Sequence, residues 1–180
     1  MKNKMIVQKG FYYAFLIMEA VMFLYALVFM TDFSDLFSLM MAANEPIAEF
    51  HDVLMQNFNQ MAFICAIFGI FAFIFSKFLQ INTHIPDVFA VAVMAACALV
   101  LIGFSCYAIV ALQTLQSVYI GLDFSSLYLE GGSSDYAVEL RTFTAGKVLY
   151  CVQITLVVAY VADLLANHKT YKKLYGGASA

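Results

Sequence analysis

The sequence predicts an all-α, polytopic membrane protein: a four-transmembrane-helix bundle, its helices 2–4 extended beyond the outer membrane surface, with a short interfacial helix after span 1. Three observations predict it. Hydrophobic residues make up 64% of the 180 and charged residues 12%, about half the charged share of soluble domains. So few charges cannot cover a water-soluble globule of this length, and lipid must solvate much of the outside. Four stretches, 10–30, 59–79, 88–112 and 143–165, are apolar over lengths that suit a ~30 Å hydrocarbon core, which takes about 20 helical residues. Finally, runs such as FICAIFGIFAFIF do not alternate as the strands of a membrane barrel do. Backbone groups in hydrocarbon must be satisfied within the segment, so each stretch is expected to be a helix.

The first stretch follows Lys2, Lys4 and Lys9 and resembles a signal peptide at its start. Its apolar run, Phe11 to Met30, has 20 residues, longer than the ~7–15 of a signal core. No small-x-small site follows it directly, so an uncleaved first span is expected. Residues 33–42, FSDLFSLMMA, have the pattern of an amphipathic helix lying at the outer interface. In the first outer loop, 31–58, Ile47, Phe50, Leu54, Phe58 and Met61 recur at steps of three and four, one helical face running into span two. Asn44 and Pro46 sit where a cap and an early helical proline belong. The inner turn, 80–87, ends at Pro86 and opens span three, which continues to Gly121. In the second outer loop, 113–142, Ser133, Ser134 and Asp135 offer caps for a fourth helix that starts before the membrane. The glycine-containing stretch from Gly121 to Ser134 and the tail GGASA are expected to be loops. No internal repeat interrupts this plan, so the whole of 1–180 reads as a single four-span membrane domain.

Orientation comes from charge. Lys2, Lys4, Lys9, Lys77, Lys169, Lys172 and Lys173 fall at the N-terminus, the end of span two and the C-terminus, which four crossings place on one side. Only Arg141 and Lys147 belong to the other. Positive residues stay inside, so both ends are expected in the cytoplasm. Nine of the twelve acids lie in the outer loops. No transit peptide or retention signal is visible, which favours a bacterial inner membrane over an organelle.

Few residues offer chemistry. Glu19 sits near the middle of span one, where a charge costs about 2.5–3.5 kcal/mol. Such a residue faces the bundle interior and has a partner. Two readings stay open: a proton or cation site with Tyr12 and Phe15 on the same helical face, or a protonated acid bonded to a neighbouring helix or subunit. Lys147 lies about one turn inside the outer end of span four, within snorkelling reach of the acidic surface. An ion pair with Glu19 is the alternative, across a difference in level of about 9 Å. Gln153 is a further intramembrane polar group, and a lipid or quinone enzyme would need Glu19, Tyr25, Lys147 and Gln153 to converge. Asp163 is expected to meet Lys169 or headgroups.

No metal or cofactor is expected. Cys65, Cys97, Cys106 and Cys151 fall in apolar runs and read as buried small hydrophobes. His51, His84 and His168 all lie outside the spans, away from where a membrane haem would be ligated. Tyr12, Tyr13, Tyr171 and Tyr175 suit an inner aromatic belt, and Tyr119, Tyr128 and Tyr136 an outer one. Small residues, Ala62, Ala66 and Gly69 in span two and Ala92, Ala96 and Gly103 in span three, are expected to let helices approach closely.

No phosphate loop, nucleophile elbow, zinc-protease or dinucleotide motif occurs. The Cys-Cys-Gly of tetraspanins, the tryptophan motif of claudins and the Cys-x-x-Cys of vitamin K-type reductases are missing too. No basic patch suits nucleic acid. The expected partners are the lipid bilayer and other membrane subunits. The leading expectation is a non-catalytic subunit or scaffold of a larger membrane complex. The alternatives are a small oligomeric channel or proton- or cation-coupled transporter using Glu19, and, third, a membrane enzyme acting on lipid or quinone.

Overall fold

The structure, a computed structural model, describes residues 2–30, 46, 49–82, 84–123 and 140–176. These are helical almost throughout. Helix α1 is Lys2–Met30. A single π-helical turn, Phe50–Met55, leads into α2, Gln56–Ile81. Helices α3, Asp87–Ile120, and α4, Arg141–Gly176, are the longest, with 34 and 36 residues. Four helices are long and apolar enough to cross a membrane, over Ile6–Leu27, Asp52–Leu79, Asp87–Ile120 and Arg141–Thr170. This is the build of a multi-pass integral membrane protein.

Pro86 stays out of a helix interior, where it would remove a backbone hydrogen bond. Pro86 is the cap of α3: its φ of −57° and ψ of 136° turn the chain, and its carbonyl accepts the Ala90 N–H at 3.0 Å. Just before it, α2 stops at Asn82, whose backbone is extended and whose Oδ1 accepts the His84 N–H at 3.0 Å. That tight turn makes α2 and α3 antiparallel neighbours. At this end of the bundle Tyr12 of α1 packs edge-on against Phe73 of α2 and tilts against Tyr160 of α4. The Lys77 ammonium lies 4.1 Å over the Tyr12 ring. The start of α1 and the end of α4 therefore share one end of the bundle with the turn. At the opposite end Tyr119 packs between Phe50 and Phe143.

Each helix buries a narrow seam. In α3 it is Ala90, Met94, Ala98, Leu101, Ser105, Ala108, Leu112, Leu115 and Tyr119, at steps of three and four. In α4 it runs through Phe143, Tyr150, Gln153, Val157, Tyr160 and Leu164. This is the spacing of bundles that coil gently around one another. The closest pairs are α1 with α2 and α3 with α4.

Several expectations need correction. Ala62, Ala66 and Gly69 are buried, but Ala92, Ala96 and Gly103 are exposed and face outward. The small residues that α3 turns inward are Ala90, Ala98, Ser105 and Ala108. In the approach to span two, Leu54 and Met61 are exposed, while Phe50, Met55, Phe58 and Ala62 are buried. The π-helical turn adds a residue between Phe50 and Met55, so the step there is five and the face shifts by one position. Tyr119 belongs to the core rather than an outer belt, and Tyr12 is buried while Tyr13 is 65% exposed. Cys106 and Cys151 are exposed on the outer faces, not buried. The interfacial helix of 33–42, the caps at Asn44, Ser133, Ser134 and Asp135, Tyr128, Tyr136, and the last four residues lie outside the described residues, as do the side chains of His51, Tyr171 and Tyr175.

Candidate functional site: a polar cluster inside the bundle

Glu19 projects from the buried face of α1 and is 0% exposed. Helical spacing brings it there: Tyr12, Phe15, Met22 and Ala26 lie on the same face and are buried as well. The carboxyl meets α2 and α4 directly and α3 through Gln153. Its Oε1 accepts a hydrogen bond from Gln153 Nε2 of α4 at 3.0 Å. Gln153 Oε1 in turn accepts from Ser105 Oγ of α3 at 2.9 Å. The Ser105 hydroxyl has one hydrogen and a second acceptor in reach, the Leu101 carbonyl of its own helix at 2.7 Å. Ser105 is therefore shared between its own backbone and the neighbouring helix.

From α2 the contribution is a gap. A Cβ at Gly69 would overlap the Glu19 carboxyl, with Oε2 the nearest atom. Glycine at this position is what allows α1 and α2 to close over an acidic side chain. Oε2 itself is buried and makes no hydrogen bond among the described residues, and neither does the hydroxyl of Tyr150. Cys65 and Tyr150 both lie close enough to interact electrostatically with Glu19. The cluster thus comprises Glu19, Gly69, Cys65, Ser105, Tyr150 and Gln153, one or two from each helix.

Of the residues singled out in the sequence, Glu19 and Gln153 come together. Tyr12 shares the buried face of Glu19 but sits two turns away, among Phe73, Tyr160 and Lys77. Lys147 does not join: its Nζ donates to Gln116 Oε1 at 2.6 Å, across to α3. The ion pair between Glu19 and Lys147 does not form, because a residue on the facing helix satisfies the ammonium at its own level. Tyr25 also turns away. Its hydroxyl donates to the Thr142 carbonyl at 3.3 Å and rests over Gly146, where a Cβ would overlap it. The four side chains that a lipid or quinone enzyme would need are therefore split into three separate contacts. Asp163 accepts from Asn167 Nδ2 at 2.9 Å, one turn along α4. His168 lies beside Asp87, Nε2 to Oδ1 at 3.7 Å.

Sequence reasoning missed Ser105 and Tyr150, and it named Gly69 only as an aid to helix approach, not as the seat of Glu19. A serine or glycine in an apolar run carries no sign of which helix it faces. Their position on the buried seam, three or four residues from other buried positions, appears only once the seam is known.

Below Glu19, between Phe15, Ser76, Met94 and Tyr160, a cavity of about 20 Å³ remains, room for a single water. Compared with models of protein families, with curated proteins and with solved structures, the chain matches none of them.

Proposed function

We propose that this chain is a non-catalytic integral membrane subunit or scaffold of a larger membrane assembly. The observation that carries this reading is the contrast between a closed interior and an apolar exterior. Inside, Glu19, Gln153 and Ser105 bond to one another and no wide cavity adjoins them among the described residues. Outside, large side chains such as Ile64, Phe71, Phe78, Val88, Leu99 and Val110 stand more than half exposed. A bundle of this kind works through its surface. Polar groups buried between helices hold such bundles in one register, each bond contributing about 0.6 kcal/mol on average in membranes.

The topology proposed with it has both ends in the cytoplasm, on the side of Lys9, Lys77, Lys169 and Lys173, most simply in a bacterial inner membrane. At 1.5 Å per residue, the π-helical turn with α2, then α3 and α4, each reach about 50 Å. Beyond a ~30 Å hydrocarbon core, the approach to α2 and the end of α3 reach about 12–14 Å to the outer side, while α4, which begins at Arg141, carries its surplus length at the lysine-rich end. Extraction in mild detergent and native-gel analysis of the affinity-captured chain tests the proposal. A defined assembly larger than the 20.1 kDa chain in its micelle is expected, with a second membrane protein in stoichiometric amount. A stable lone monomer from native membranes overturns it.

One observation favours a second reading, a small oligomeric channel or a proton- or cation-coupled transporter. Glu19 Oε2 is buried with no hydrogen-bond partner among the described residues, an acceptor open to a proton. Under this reading Glu19→Gln abolishes flux in proteoliposomes and leaves assembly intact, since the amide keeps the size and the bond to Gln153. Flux undiminished by that substitution ends the idea.

A further inference from the structure

At the lysine-rich end of the bundle, a side-opening groove of about 490 Å³ runs between the first turns of α3 and the last turns of α4. It is amphipathic along the helix axes. Asp87, His168 and Lys169 form its polar end, and Val91, Ala92 and Leu165 its apolar wall, about one turn deeper into the bundle. The polar end coincides with the boundaries of two candidate spans, Asp87–Ile120 and Arg141–Thr170. In a bilayer that level is the headgroup layer.

His168 backs the Asp87 end of the groove. It is 4% exposed, yet neither ring nitrogen makes a hydrogen bond among the described residues. Its nearest charged neighbour is Asp87, at 3.7 Å, beyond hydrogen-bond length, and the Asp87 side chain is 39% exposed to the groove. Carboxylate, imidazole and ammonium side by side present both signs of charge within one small site.

We infer that the groove binds a phospholipid with an ethanolamine headgroup. The ammonium of such a lipid pairs with the Asp87 carboxylate, and its phosphate with Lys169, both charge-assisted contacts. One acyl chain lies along Val91, Ala92 and Leu165. Ala92, Ala96 and Gly103, all exposed, continue the same side of α3 toward the middle of the bundle as a low path for that chain. Choline lipids lack the N–H donors that Asp87 accepts from, and glycerol lipids lack the cation.

The inference rests on the four helices lying in a bilayer. Native mass spectrometry of the full chain, delipidated in detergent and offered phosphatidylethanolamine, phosphatidylglycerol or phosphatidylcholine of matched acyl chains, tests it. Ethanolamine lipid is expected to be retained at least about tenfold better than the other two, a difference of ~1.4 kcal/mol. Asp87→Asn removes that preference, and Ala92→Phe, at an exposed position, lowers retention of all three lipids with melting temperature unchanged. Equal retention of ethanolamine and choline lipid by the parent chain, a preference for phosphatidylglycerol, or a preference that survives Asp87→Asn overturns the site. Release of the chain from membranes by alkaline carbonate overturns the membrane reading instead, so the two failures are distinguishable.

Discussion

Gly69→Ala is expected to destabilise the detergent-solubilised protein by about 2–3 kcal/mol, the upper range for forcing one carbon into a packed interior. The added methyl falls on the Glu19 carboxyl. A free side chain would swing aside, but this one is held. Oε1 is bonded to Gln153, and Gln153 to Ser105. Moving the carboxyl breaks that chain of hydrogen bonds. Equilibrium unfolding in mixed micelles, read by tyrosine fluorescence or circular dichroism, measures the loss. The decisive comparison is the double variant. Glu19→Ala vacates the space that the Gly69→Ala methyl needs, so the two together are expected to cost less than the sum of each alone, with a coupling of about 1–2 kcal/mol. Strict additivity would mean that the two side chains do not meet.

A second glycine is expected to be as sensitive. A Cβ at Gly146 overlaps the Tyr25 hydroxyl and lies 2.6 Å from its Cζ and 2.8 Å from Leu112 Cδ1. Here the obstacle is an aromatic ring confined by Tyr150, whose ring stands edge-on at a centroid distance of 6.3 Å. Gly146→Ala should therefore lower stability by about 2–3 kcal/mol. Tyr25→Phe alone should cost little, since its bond to Thr142 is long at 3.3 Å. Combined with Gly146→Ala it removes the nearest clashing atom but leaves the ring, so partial recovery is the expected result, again by equilibrium unfolding. Full recovery would place the conflict on the hydroxyl alone, and none at all would place it on Leu112.

Both glycines lie in helices that carry no other mark of their importance. Gly103, equally central in α3, has nothing within 4 Å of where a Cβ would be, and its replacement should be silent. Three glycines of one residue type and one helical setting thus differ entirely in cost. Sequence spacing put Gly69 and Gly103 in the same class, as aids to helix approach, and the structure separates them.

The four helices long and apolar enough to cross a membrane were legible from the chain alone, because the transfer of a long apolar run into hydrocarbon depends on composition and length and not on neighbours. Glu19 was legible as a special position for the same reason: a carboxylate amid apolar residues needs a partner wherever the helix turns. Which face of each helix turns inward was not legible. In a soluble helix the polar side marks the outside, whereas here lipid accepts apolar residues on every side and the pattern has no phase. Tertiary packing chose the seam, and with it three outcomes: Gln153 meets Glu19 from 134 positions away and Ser105 meets Gln153 from 48, Lys147 meets Gln116, and the Ala92–Ala96–Gly103 stripe faces out. Those contacts depend on the rotation of one helix against another, a quantity that only the assembled bundle defines.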